Sequence, residues 1–483
     1  MDTQISTAAP AIRAPRRRRW PWYVMSFVGL LLIILIAGYA YLYWTGARET
    51  ESALTETDRL DPDWRLADLE AKREVLRPEE NSALQVTKVY GLARHNARTW
   101  NNDFTLQFEK LEAPYELNEL QIQMLREARA DMQEALVEAG KLKDMPKGRF
   151  PMKWSADWIT TNLNDQQNAR RAFELLQHDA WVRAQTGDLD GAVESCRACM
   201  NGARSLGDEP ILISFLIRVA GDHGALQALE RVLAQGRPSD TALAPMQALI
   251  EQEIIDVQKQ WTNAMRGERG GQQHLMQAIA DGKIGISRLG GLGGNAGLGD
   301  KVTDFFPAVM THGYPSLLRH MNQVVEATKL PLEQQRDRLL ELEKEIPRAS
   351  ILARLMAPAV QKVGNAHLRD QAMLRSALVA VAAERFRIKN ERWPESPAEL
   401  VKAGLIAEAP VDPYDGAALR WRRFPDGMAA YGVGIDKTDD GGNINNRSDE
   451  KGFDVGLKVW DLPRRRQPAR LPVPDENALP PGR

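Results

Sequence analysis

The chain has 483 residues, 43% of them hydrophobic and 27% charged, which is ordinary globular composition and length for two or three folded units. Its 63 basic and 65 acidic residues give a net charge of −2. Arg13 and Arg16 to Arg19 stand against Asp2 at the N-terminus, so the rest is mildly acidic, without the basic footprint of a nucleic-acid binder.

Residues 1–19 read as a polar cytoplasmic tail. Val24 to Trp44 then runs without a charge for 21 residues. At about 1.5 Å per residue this is roughly 30 Å, the thickness of a bilayer's hydrocarbon core. Trp20, Trp22 and Tyr23 flank one end, and Tyr39, Tyr41, Tyr43 and Trp44 the other, as aromatic rings do at headgroup depth. A cleaved signal has a shorter apolar run closed by small residues, so residues 20–45 are expected to be an uncleaved single-pass anchor. The arginines before it put the N-terminus in the cytoplasm and the remainder outside an inner (cytoplasmic) membrane.

A helical stalk and first helical unit are expected over 46–142, with Asp61-Pro62 opening a helix as cap and first-turn residue. Residues 143–300 begin with an irregular connection carrying Pro146, Gly148 and Pro151. A helical body follows, interrupted at Gly187, Gly207, Gly221, Gly224 and Gly236. It closes on the Gly-rich run 285–300. Gly291-x-Gly293 there has no preceding strand and no Walker lysine, so a flexible connection is expected rather than a nucleotide loop. Residues 301–392 form a further helical block ending in a long helix, and 393–462 change to short alternating segments. The Pro- and Arg-rich stretch 463–483 reads as a disordered tail. The fold class is therefore mainly α: a transmembrane helix, a helical-hairpin body, and a small α+β module with a short antiparallel sheet.

Cys196 and Cys199 form the only C-x-x-C. Met200 stands where a c-type haem needs His, and no second pair exists for a four-thiolate zinc site within the chain. Packing, a local disulfide, and catalysis or metal binding remain open for this structural or redox pair. Residues 171–206 resemble a tetratricopeptide hairpin, with Ala180 and Ala192 as the small residues and Gly187-Asp188 as the turn. The resemblance implies that both cysteines pack between two helices. The histidines make no H-E-x-x-H, and no G-x-S-x-G is present, so no catalytic residue is assigned.

In the C-terminal stretch, Trp393-Pro394 forces an extended exit from the long helix, and Ser396-Pro397-x-Glu399 opens a short one. Leu419–Phe424 and Met428–Val433 alternate around Pro425-Asp426-Gly427, a hairpin signal. The order Arg392-Trp393-Pro394, Asp412-Pro413-Tyr414, Leu419-x-Trp421-Arg422, Tyr431-Gly432-Val433-Gly434 and an acidic loop from Asp436 to Asp440 resembles the globular domain of type II secretion major pseudopilins. That resemblance implies calcium in the loop, with Asp436, Asp439 and Asp440 as ligands and Asp449 or Asp454 as later oxygens.

Three functions follow as expectations. The first is a non-enzymatic, membrane-anchored interaction or scaffold protein of the cell envelope. The second is a divergent pseudopilin-like component of secretion machinery, and the third an extracytoplasmic hydrolase without a recognisable motif.

Overall fold

Helix forms wherever apolar residues recur three and four apart, and 66% of the structure is helical. The computed structural model describes residues 20–93, 111–130, 132–285, 311–346, 350–447 and 449–470. The N-terminal tail, all but the first residue of the Gly-rich run, and residues 471–483 lie outside these.

Helix α1 (Trp20–Leu60) joins the expected anchor and stalk without a break. Its first part exposes Leu30 to Ile36 and their neighbours, and none of the described residues covers the span. Length and composition suit this helix to crossing a membrane. Its last turns enter the body. Short helices α2 (Leu66–Ala71), α3 (Ser82–Ala93), α4 (Glu119–Ala130) and α5 (Gln133–Gly140) follow. The body proper is α6 (Asn164–Thr186), α7 (Leu189–Arg204), α8 (Leu212–Gln235) and α9 (Asp240–Ala280). Beyond it lie α10 (Tyr314–Ala327), α11 (Leu332–Glu345), α12 (Ile351–Met356), α13 (Val360–Asn390) and α14 (Pro397–Lys402).

The hairpin of α6 and α7 turns on Gly187, whose φ of +88° is open to glycine at no cost, and Asp188 caps α7 by accepting the Gly191 amide at 3.1 Å. The expected interruptions at Gly221 and Gly224 do not occur, because both lie inside α8. A Cβ on Gly221 would stand 2.4 Å from that of Ala203, so this glycine permits close approach of α7 and α8 instead of ending a helix.

Strands β1 (Arg420–Phe424), β2 (Gly427–Gly432) and β3 (Val455–Trp460) form an antiparallel sheet in the order β1-β2-β3. The hairpin closes with Phe424 opposite Gly427, at the predicted turn. Strands β2 and β3 pack on α13, so one apolar core runs from Ala83 on α3 to Val459 on β3.

Ion pairs fix how these layers meet. Glu253 on α9 is fully buried and accepts Arg218 of α8 through Nε at 2.7 Å and Nη2 at 2.8 Å. Arg204 of α7 closes on the same carboxylate and reaches Asp256 at 2.8 Å. Burial opposes the charge on Glu253, yet Arg218 and Arg204 outweigh it and hold this carboxyl below its ordinary range. Asp222 and Asp370 behind it are pushed the other way, well above the ordinary carboxylate range, by burial and then by the charge of Glu253.

A second cluster joins α1 to the body through Ala53, Trp64, Leu317 and Met321. Asp61 does not open a helix as expected. Arg266 takes it at 2.8 Å through Nε, and buried Arg269 also pairs with it, so its carboxylate neutralises guanidiniums and leaves no oxygen for capping. Arg269 also donates to Asn322 at 2.9 Å, and Asn322 to Thr57 of α1 at 2.8 Å. The first residues of the expected disordered tail are likewise tied down. Arg465 pairs with buried Glu384 at 2.7 Å, and the amide of Gln467 donates to Pro114 O at 2.7 Å.

Replacing Glu253 with Gln leaves two buried guanidiniums without their shared charge. We expect a loss of about 3–5 kcal/mol, measured by denaturant unfolding. A loss within ~0.5 kcal/mol of wild type would show that the two arginines are satisfied without it.

Candidate functional site

The sheet does not close fully on the helical body. Between them lies a cleft of about 830 Å³, floored by α6 and α8 and walled by β3, the loop 442–447 and the segment 111–115. This volume suits a small organic ligand or a few residues of peptide.

Helical spacing supplies the floor. His223, Gln227, Glu230 and Arg231 fall on one side of α8 at steps of three and four, and Phe173, Gln177 and Trp181 do the same on α6. The wall at 111–115 is held by the last described residues: Tyr115 bridges to Gln467, and the Glu116 amide donates to Gln467 O at 2.8 Å. Arg231 Nη2 donates to Tyr115 O at 2.7 Å, and Gln235 Nε2 reaches the same oxygen at 3.2 Å.

Polar groups in the cleft are distinctly tuned. Glu230 Oε1 accepts the Lys458 amide at 3.0 Å, tying α8 to β3, while burial pushes its carboxyl up from 4.5 to about 7. His223 Nε2 stands 3.6 Å from Oδ1 of fully buried Asp370. Burial and then the charge of Arg369 disfavour the imidazolium, so His223 is neutral at pH 7. No serine or threonine lines the cleft among the described residues. Cys199 reaches its wall, but Sγ donates to Phe173 O at 3.3 Å and burial raises the thiol far above its ordinary range. Such a thiol carries almost no thiolate.

Both cysteines are buried free thiols between α6 and α7. Ala180 and Ala192 are buried in the same hairpin.

Two carboxylates of the acidic loop, Asp436 and Asp439, accept nearby backbone amides, while Asp440 Oδ2 is buried without a hydrogen-bond partner among the described residues. Asp436 accepts the amides of Thr438 at 3.2 Å and Gly452 at 2.9 Å, and Asp439 accepts the Gly441 amide at 2.9 Å and the Tyr431 hydroxyl at 3.1 Å. Asp454, fully buried, takes the amides of Asp440 at 3.3 Å and Gly442 at 2.6 Å. Asp449 is drawn to Arg369 at 3.2 Å. Among the described residues, no three His, Cys, Asp or Glu side chains form a group able to hold a metal ion. The cleft residues carried no motif in the sequence. Their only trace was the order of polar residues along α8, which any solvated helix face shares.

No protein-family model, curated protein or solved structure matches this chain.

The tuning of Glu230 has a direct consequence. Its carboxyl keeps a proton in the folded protein up to about pH 7 and loses it near 4.5 when unfolded. The folded state therefore holds one more proton between these values, and stability falls as pH rises through that window. Glu230→Gln is expected to remove up to one proton from the slope of unfolding free energy between pH 4.5 and 7, with little change below pH 4. Unfolding midpoints across pH for both proteins provide the check.

Proposed function

We propose that this is a non-enzymatic, single-pass protein of the inner membrane, with its N-terminus in the cytoplasm, whose extracytoplasmic body docks a partner or ligand in the cleft between helices and sheet. The observation that carries the reading is α1, which runs from an uncovered apolar span into the body without a break. Thr57, Asp61 and the pairing of Arg319 with Glu49 and Glu56 hold its far end to the body. A rigid mount of this kind serves a protein whose binding surface must keep a fixed orientation to a membrane. The arginines before the span favour a cytoplasmic N-terminus.

Two measurements test this. The protein should stay with membranes through alkaline carbonate extraction, and external protease should digest the body in spheroplasts while sparing residues 1–19; release by carbonate or full protection would sink the topology. A photo-crosslinking side chain at Gln227 in the cleft should capture a discrete species in native membranes. The same group at exposed Glu341, outside the cleft, should not. Equal capture at both positions would remove the cleft as the docking site.

The α/β module favours a second reading, a divergent component associated with secretion machinery. A long helix packed on a short antiparallel sheet and followed by an acidic loop supports the pseudopilin-like resemblance. Co-purification of secretion components would favour it, and calcium is its natural ligand. A rise of the unfolding midpoint with millimolar calcium, lost in Asp439→Ala and Asp440→Ala, is the outcome it requires; no rise would remove calcium from this reading.

A further inference from the structure

A guanidinium remains charged at any physiological pH, so a buried one is costly unless the fold gives it an anion. Seven arginines are buried among the described residues. Six of them meet a carboxylate: Arg73 with Glu70, Arg204 and Arg218 with Glu253, Arg269 with Asp61, and Arg387 and Arg465 with Glu384. The seventh is Arg231, only 5% exposed, and no carboxylate pairs with it among the described residues. Its one hydrogen bond there goes to the Tyr115 carbonyl, a neutral acceptor. Burial alone, unopposed by any acid, draws its protonation down to about 10. Glu230 precedes it on α8 but is turned to the Lys458 amide. Arg231 borders the 830 Å³ cleft.

We propose that Arg231 is the anion-binding residue of the cleft and that the cleft's ligand carries a single carboxylate, which completes the ion pair the fold leaves open. The inference rests on the cleft being the docking site. Charge number favours a carboxylate over a phosphate. One guanidinium is buried there, and Glu174 and Glu230 line the same cleft, so a dianion would bring a second charge without a buried partner. Trp181, Phe173 and Trp460 offer apolar walls for the rest of such a ligand. Arg170 and Arg464, exposed at the rim, draw an anion inward. Holding the segment 111–115 does not by itself require Arg231, because Gln235 donates to Tyr115 O and to Ala113 O at 2.8 Å.

The test uses the full chain in detergent and its thermal unfolding midpoint at constant ionic strength. The probes are hippurate, its neutral amide hippuramide, and inorganic phosphate. Hippurate should raise the midpoint of the wild type by several degrees, with hippuramide and phosphate well behind. Arg231→Met should abolish the hippurate rise while leaving the ligand-free midpoint unchanged or higher, since an uncompensated charge has gone. The same change at paired Arg218 should lower the midpoint. Absence of a hippurate response, an equal response in Arg231→Met, or a larger phosphate response would overturn the proposal. So would a ligand-free Arg231→Met as unstable as Arg218→Met, because the charge would then already be compensated within the fold. A hippuramide response matching that of hippurate overturns the carboxylate but keeps the cleft as a binding site, whereas equal capture at Gln227 and Glu341 removes the cleft itself.

Discussion

One buried carboxylate sets the architecture. Glu253 has to be charged, because Arg204 and Arg218 reach it from two other helices, and those arginines have no neutral form available. The three must meet in one geometry or each bears the full cost of desolvation. Apolar contacts alone would let α7, α8 and α9 slide on one another, since hydrophobic burial is non-directional. The carboxylate removes that freedom. With α8 fixed in rotation, the side opposite Arg218, which carries His223, Gln227, Glu230 and Arg231, faces the cleft, and α13 can lay its sheet-bearing face against the same core.

The same device recurs at the edges. Glu384 with Arg387 and Arg465 holds the chain after the last strand, and Asp61 with Arg266 and Arg269 holds the end of α1. Each joins segments far apart in sequence. The α/β module and the entering helix are therefore fastened to the body by buried charge as well as by apolar surface.

How much of this was legible depended on the range of the interaction. Periodicity located the helices, and Pro425-Asp426-Gly427 located the hairpin, because these signals are local. Asp61 misled for the same reason: its neighbour Pro62 makes a capping reading natural, while the guanidiniums that claim it lie some two hundred residues later. Gly221 and Gly224 misled because a glycine that breaks a helix and one that lets two helices touch look alike until the neighbouring helix is known. Arg465 to Gln467 looked like a solvated tail, since the carboxylate and carbonyl that bind them belong to α13 and to the segment before α4. The cleft was invisible. His223, Gln227, Glu230 and Arg231 form a polar helix face like many others, and only the placement of β3 opposite them makes that face a wall. An unpaired arginine has no sequence signature, because pairing is a property of space.

The continuous helix α1 makes the protein a mast rather than a buoy. Most of the orientational freedom of a tethered domain resides in its linker, and here the linker is helix, clamped at its far end. In a bilayer, any tilt that α1 adopts to match the thickness of the hydrocarbon core is passed whole to the body. On the proposed membrane-anchored reading, lipid composition then sets the angle at which the cleft faces its surroundings.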